Sequence, residues 1–164
     1  MRKMLVAILA GGALVAAGTP ALAQTTAKPT LGPYGYGAIK LGMGLKQARG
    51  TGKIVRKAGG GAAPCSGWDL KQYPTGKDRV GLYISKKRGV AVIFAQKGIK
   101  TPEGIGIGST MRQVKRAYPR LKTSASGFPY TSVPRNPKAY YAFLASKGKV
   151  RQLILALDTQ DCVN

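Results

Sequence analysis

The stretch IKLGMGLKQAR at 39–49 is matched 66 residues later by IGIGSTMRQVK at 105–115. Apolar residues agree at the first, third, seventh and tenth positions, and glycine agrees at the fourth. Glutamine agrees at the ninth, and a cation stands at the eighth and eleventh positions of both. Each segment predicts a short strand, a glycine turn and a helix, because apolar residues change to helical spacing after the turn.

Both predicted helices have signals at their starts. Thr110 with Gln113 fits a capping box, and Gly44 with Gln47 is a weaker counterpart. Within the first helix, Leu45 and Ala48 have the spacing of one apolar face. These signals predict two short helices.

A second match joins 84–95 to 145–156 at an offset of 61. Each segment is typical of a hairpin, with an apolar strand on either side of a polar turn. Further strands are predicted by composition at 67–73 and 128–133. The fold class predicted from both matches is α+β. Two tandem helix-plus-antiparallel-hairpin repeats, at 33–98 and 99–164, form one sheet with the helices packed on one face.

The first 23 residues are typical of a secretory signal peptide. Arg2 and Lys3 precede an apolar run at 5–17, and the small residues at 21–23 fit a cleavage site before Gln24. An uncleaved membrane anchor is the alternative. Residues 24–32 are predicted to be a flexible lead-in. No later stretch has the ~20 apolar residues of a spanning helix, so we expect a secreted, extracellular protein, free or associated with the cell wall, without a membrane span after cleavage.

The composition argues against catalysis. The 164 residues include no histidine, two cysteines and five acidic residues. Imidazole bases, His metal ligands and a four-cysteine zinc site are therefore excluded. We expect no enzyme activity, no catalytic residue, no metal and no cofactor. The S-x-x-K pattern at 146–149 lacks the companion motifs of penicillin-interacting enzymes.

Asp69, Asp78 and Glu103 are isolated in the sequence, and we expect them to be solvated. Asp158 and Asp161 lie close together near the C-terminus and are expected to be solvated or to pair with two of the many cations, with a shared site as the alternative. A hydrolase would require two carboxylates that converge on one site.

Cys65 and Cys162 are 97 residues apart in a chain predicted to be exported. An intramolecular disulfide is therefore expected, with an intermolecular bridge as the alternative.

Positive charge is the strongest functional signal. The formal net charge is +22, and removal of Arg2 and Lys3 with the signal peptide leaves 25 of the 27 basic residues. Such an excess exceeds what solubility requires and favours a polyanionic partner. The candidate anion-binding residues lie on the outer faces of the helices and at the hairpin tips: Lys46, Arg49, Arg112, Lys115, Arg116, Lys86, Lys87, Arg88, Lys147 and Lys149.

If the helices lie side by side, these cations form one basic surface. For any single lysine, a solvated shell is the alternative. Nucleic acid binding in vitro would be non-specific and salt-sensitive. Tyr140, Tyr141 and Trp68 have rings that stack on bases, but the alternation at 140–144 assigns at least one tyrosine to the core, and Trp68 also fits the core best.

The repeated turn–helix and hairpin pattern resembles the tandem units of secreted β-lactamase inhibitor proteins. It is also similar to the single unit of small outer-membrane assembly lipoproteins, and more closely to uncharacterised exported actinobacterial proteins. The resemblance implies a bacterial, non-catalytic binding scaffold with helices on one face of an antiparallel sheet. The chain departs from the inhibitor pattern in its charge and in lacking one disulfide within each repeat.

The leading hypothesis is a secreted, non-enzymatic binding module that holds an anionic cell-envelope polymer or other polyanion. The alternative is a protein-inhibitor-like scaffold that binds a folded acidic protein. The second alternative is a cell-wall hydrolase.

Overall fold

The computed structural model describes residues 29–163. The predicted signal peptide at 1–23 and residues 24–28 of the lead-in lie outside the described residues.

Antiparallel sheet dominates the described chain. A small sheet has the order β1 (Leu31–Gly32), β2 (Gly35–Tyr36), β3 (Ile39–Lys40). The large sheet has eight strands: β4 (Ile54–Arg56), β5 (Cys65–Leu70), β6 (Leu82–Ser85), β7 (Gly89–Phe94), β8 (Lys122–Thr123), β9 (Pro129–Val133), β10 (Asn136–Ser146) and β11 (Lys149–Leu157). Its spatial order is β4-β5-β6-β7-β11-β10-β9-β8, and every neighbouring pair is antiparallel.

The two helices are short. α1 spans Leu45–Gly50 and α2 spans Met111–Ala117. The predicted antiparallel sheet and the two helices are therefore present, but strands outweigh helices by far. The short α1 lies against β4 and β7, and only Ala48 is fully buried there. Leu45, expected on the same apolar face, is 41% exposed.

The predicted capping interactions are present at both helix starts. At α2 the Gln113 N–H donates to Thr110 Oγ1 over 3.2 Å, and the Thr110 N–H donates to Gln113 Oε1 over 2.8 Å. At α1 the Gly44 N–H donates to Gln47 Oε1 over 3.2 Å. These bonds satisfy donors that a helix start leaves unpaired.

The main core lies on one face of the large sheet. Ala48 of α1 and Val114 of α2 belong to the same buried cluster as the inward residues of the central strands, such as Ile93 and Leu153. Leu31 and Ile39 of the small sheet also belong to this cluster. Both helices and the small sheet therefore cover the same face.

The two long hairpins differ by one residue in their turns. Ser85 pairs with Gly89 across a three-residue turn, and Ser146 pairs with Lys149 across a two-residue turn. Residues of β6 and β10, which lead into the turns, therefore correspond at an offset of 61, whereas residues of β7 and β11, which lead out of them, correspond at an offset of 60. This corrects the alignment expected from sequence. The correction matters because a shift of one residue moves a side chain to the other face of a sheet.

The lead-in expected to be flexible begins to form structure at Leu31. This residue is buried, its N–H donates to the Lys100 carbonyl over 2.9 Å, and its carbonyl accepts from the Tyr141 hydroxyl over 2.6 Å. Asn136 Nδ2 also donates to the Pro33 carbonyl over 2.7 Å. The beginning of the described chain is therefore fastened to residues more than 60 positions away.

The C-terminal segment is fastened to the first half of the sheet. The predicted disulfide between Cys65 and Cys162 is present. Beside it, the Ser85 hydroxyl donates to an Asp161 carboxylate oxygen over 3.1 Å. Asp161 is exposed, as expected of a solvated acid, and its carboxylate also contacts β6 through Ser85.

Candidate functional site

All ten candidate cations are exposed. They lie on α1, on α2 and at the tips of the β6–β7 and β10–β11 hairpins, as the sequence predicted. The structure groups each helix with one hairpin.

The first basic cluster consists of Lys46 and Arg49 on α1 with Lys86, Lys87 and Arg88 at the β6–β7 turn. The turn before α1 is fastened to the start of β7 by two hydrogen bonds. The Gly42 N–H donates to the Val90 carbonyl over 2.9 Å, and the Val90 N–H donates to the Met43 carbonyl over 2.9 Å. These bonds hold the helix start beside the hairpin tip.

The second basic cluster consists of Arg112, Lys115 and Arg116 on α2 with Lys147 and Lys149 at the β10–β11 turn. The turn before α2 is fastened to the start of β11 in the same way. The Gly108 N–H donates to the Val150 carbonyl, and the Val150 N–H donates to the Ser109 carbonyl, both over 2.8 Å. The Met111 N–H also donates to the Gly148 carbonyl over 2.9 Å.

The clusters lie at opposite ends of one sheet face. Val92 of β7 is opposite Ala156 of β11. Gly89 is three residues from this pair in one direction, and Lys149 is seven residues away in the other. Ten residues of strand correspond to about 30 Å. The single basic surface expected from side-by-side helices is therefore replaced by two, because the central strands are antiparallel.

A groove of about 620 Å³ opens at the first basic cluster. Its lining includes the three cations of the hairpin tip together with Leu45, Arg56 and Trp68. A smaller adjoining groove shares these last three residues and extends to Arg49 and Val55. Both apolar and cationic side chains thus line the two adjoining grooves.

Arg56 is a further functional candidate, and the sequence did not indicate it. Its guanidinium carbon lies 5.5 Å from the Trp68 ring centroid, and Nη1 donates to the Gly67 carbonyl over 3.2 Å. Trp68 is buried, as expected, and its Nε1 donates to Ser66 Oγ over 2.9 Å. The guanidinium is held over the ring by a cation–π contact. β4 has only three residues, Ile-Val-Arg, and no alternation of buried and exposed positions, so the sequence held no local signal for its pairing with β5.

Asp69 forms the one ion pair among residues 29–163. Its carboxylate lies 3.3 Å from Lys57 Nζ, and the residue as a whole is 3% exposed, which corrects the expectation of a solvated acid. Burial by itself raises the pKa of this carboxyl. Hydrogen bonds from the Thr75 N–H and hydroxyl, from Lys57 and from the Gly81 N–H outweigh burial and hold the pKa below its usual value. None of the ten candidate cations is paired with an acid in this part of the chain.

Other candidate positions have structural roles. Tyr141 is buried in the main core, whereas Tyr140 is half-buried on the opposite face. Burial raises the pKa of both hydroxyls.

Cys65, Asp161 and Cys162 lie close enough to suggest a metal site, but the two sulfurs are bonded to each other. The S-x-x-K residues at 146–149 form the β10–β11 turn, whereas the enzyme motif begins a helix.

Comparisons with known proteins identify no relative. No protein-family model, curated protein or solved structure matches the chain. Among the residues that the structure describes, no helix has the length and apolar character needed to cross a membrane.

Proposed function

We propose that this protein is a non-enzymatic binding module for an anionic polymer, which it holds through the two basic clusters. The observation that carries the proposal is the exposure of all ten cations without an acidic partner in residues 29–163. Unpaired ammonium and guanidinium groups keep their full attraction for phosphate, sulfate and carboxylate groups. Cations that were already paired with acidic side chains would have no such affinity.

The charge pattern favours a polymer over a small anion. Each cluster supplies five exposed cations, and the clusters are about 30 Å apart by strand geometry. A linear polyanion that reaches both clusters gains affinity, because the second contact becomes intramolecular once the first has formed. Counterion release then makes binding strongly dependent on salt.

The groove at Arg56 and Trp68 gives the first cluster a defined shape. The buried ring limits the motion of the guanidinium, so less side-chain entropy is lost when an anion binds. We therefore propose Arg56 as an additional anion-binding residue. The exposed side chains of Leu45 and Val55 in the adjoining groove offer apolar contact to the body of the polymer.

We infer that the two clusters arose by duplication of one helix-plus-hairpin unit, at 33–98 and 99–164. Supporting this, the strand order of the first four strands is mirrored by that of the last four across β7 and β11. The equivalent hydrogen bonds of Val90 and Val150 to the turns before the helices also support it. The resemblance to tandem inhibitor-type scaffolds remains a prediction.

We propose that the protein acts outside the cell, after removal of residues 1–23. The disulfide is compatible with an oxidising compartment. In that setting the chemistry of the clusters fits an anionic cell-envelope polymer, and binding of nucleic acid in vitro would reflect the same charges.

The direct test is retention on phosphocellulose and heparin during a salt gradient. Replacement of Lys46, Arg49, Arg112 and Lys115 by glutamate should abolish retention at moderate salt and leave the melting temperature unchanged. The matched control replaces Lys71, Lys77, Lys97 and Lys138, which are also exposed, and changes the net charge equally. Equal retention of the two variants would contradict the assignment to the clusters.

A second test addresses the polymer length. Long-chain polyphosphate should bind at least tenfold more tightly, per phosphate, than tripolyphosphate, since only the long chain reaches both clusters. Reversal of Arg112, Lys115 and Arg116 should remove most of this advantage. An advantage that survives this reversal would contradict binding across the two clusters.

A further inference from the structure

The sheet face opposite the helices carries a groove of about 670 Å³. Tyr83, Phe94 and Ile154 contribute to its lining from β6, β7 and β11, and Tyr130 and Tyr140 from β9 and β10. The C-terminal segment contributes Asp158, Gln160 and Val163 along one side. None of the ten candidate cations lines this groove.

The groove is rich in aromatic rings. Tyr83 and Phe94 pack edge to face with ring centroids 5.8 Å apart, and Tyr130 and Tyr140 do so at 6.3 Å. Phe128 also lines the groove and is 41% exposed. A contiguous patch of partly exposed rings marks an interaction or ligand site, since its exposure to water is unfavourable.

The charge of the groove differs from that of the chain. None of its lining residues is Lys or Arg, and Asp158 is the one charged residue among them. A polyanion therefore finds no counter-charge here. A cationic ligand is opposed by the net charge of +22. The electrostatics favour a neutral occupant.

The polar residues that line the groove narrow the chemical class of its ligand. Ser124, Ser126 and Gln152 lie among the rings. An aliphatic ligand would cover these polar groups without hydrogen bonds, which is costly. A sugar ring has C–H groups that pack on aromatic faces and hydroxyl groups that bond to amides and hydroxyls. We propose that this groove binds a neutral carbohydrate chain.

The C-terminal side of the groove is held in place before any ligand binds. Gln160 Oε1 accepts from the N–H groups of Cys162 and Val163, both over 2.9 Å, and its Nε2 donates to the Val163 carbonyl over 2.6 Å. The disulfide from Cys162 to Cys65 fixes this loop to β5. A preformed wall lowers the entropy lost on binding.

The test is depletion of the protein from solution by insoluble cellulose, chitin and curdlan in 0.5 M NaCl, which suppresses binding to the basic clusters. We expect saturable depletion by at least one of these neutral polysaccharides. The F128A/Y130A variant should bind it about tenfold more weakly, because aromatic contact area is lost. The control is Y34A, which removes a tyrosine that is 58% exposed and lies outside the groove.

Two results would overturn the proposal: no depletion by any of the three polysaccharides, or equal depletion of the wild type and F128A/Y130A. Binding of a proline-rich peptide without binding of a polysaccharide would assign the groove to peptides instead. If F128A/Y130A has a lower melting temperature than the wild type, the single variant F128A is used instead, because the Phe128 ring of the wild type is already partly solvated. The glutamate variant of the basic clusters should retain full depletion, so this proposal and the polyanion proposal fail separately.

Discussion

Phe94 lies directly opposite Ile154 in the antiparallel pair β7–β11 at the centre of the eight-stranded sheet. Both side chains project onto the face opposite the helices, where they line the aromatic groove. This strand pair is the seam that joins the first four strands to the last four. A slip of one residue would move Phe94 into the main core and expel Ile93 from it, so the aromatic groove depends on this register.

The start of β7 depends on a glycine. Gly89 has φ of +68°, and a Cβ there would lie 2.5 Å from the Gly42 carbonyl oxygen and 2.7 Å from that of Met43. Because both obstacles are backbone atoms, G89A should destabilise the protein by more than about 2 kcal/mol. The other hairpin supplies the control: Gly148 has φ of +72° with open space around it, so G148A should cost about 1 kcal/mol. Urea unfolding measures both, and equal losses would contradict the steric argument.

The disulfide should contribute strongly to stability. It closes a loop across 97 residues of sequence and fastens the C-terminal segment to β5. In the chain-entropy treatment this stabilises the fold by up to about 4 to 5 kcal/mol. The C65S/C162S variant should lose a comparable free energy of unfolding in urea. A reductant should lower the stability of the wild type and leave the variant unchanged.

The Asp69 ion pair predicts a specific loss of stability in acid. Because the pKa of this carboxyl is lower in the folded chain than the unfolded value of about 3.9, the carboxylate stabilises the fold above about pH 4. That stabilisation is lost as the pH falls through the folded pKa. At pH 7, D69N should cost about 3 kcal/mol, since Lys57 loses its charged partner.

Urea unfolding at pH 7 and at pH 2.5 checks this prediction. The difference between the wild type and D69N should shrink at the lower pH. D78N is the control, because Asp78 is exposed, and it should cost almost nothing at either pH. A difference between the wild type and D69N that is independent of pH would contradict the role of the carboxylate.

Trp68 offers an intrinsic probe of the first basic cluster. It is the one tryptophan of the chain, and Arg56 lies over its ring. Tripolyphosphate bound at Arg56 should alter the fluorescence of Trp68, because the guanidinium shifts toward the anion. R56A should lose this change, whereas R112A, in the second cluster, should retain it. An unchanged response in R56A would place the anion elsewhere.

Local features of the fold were predictable from sequence. Thr110 and Gln113 form the expected capping box, since a cap is a contact between residues three positions apart. The polar turns of both hairpins were also predictable from composition. The difference in turn length was not, because either turn satisfies the same hydrophobic pattern. The alignment at an offset of 61 therefore failed at Val90, whose counterpart is Val150.

The sequence predicted which cations belong to the candidate site but not how these cations are arranged in space. Exposure of Lys46 and Lys86 follows from their chemistry and local pattern. The contact of Arg56 with Trp68 depends on the pairing of β4 with β5, which joins residues 12 positions apart across an irregular loop. Burial of Asp69 likewise depends on Lys57 and Thr75 arriving from neighbouring segments.

Composition and short-range periodicity suffice to predict the positive charge and the two turn–helix segments. Two cysteines in a chain predicted to be exported favour a Cys65–Cys162 disulfide, and the fold brings the two residues together. The division of the cations into two clusters at opposite ends of one face arises only when the chain folds, as does the aromatic groove without basic residues on the other face. Both depend on strand direction and register at β7–β11, which arise from hydrogen bonds between residues about 60 positions apart, and no local pattern encodes such bonds.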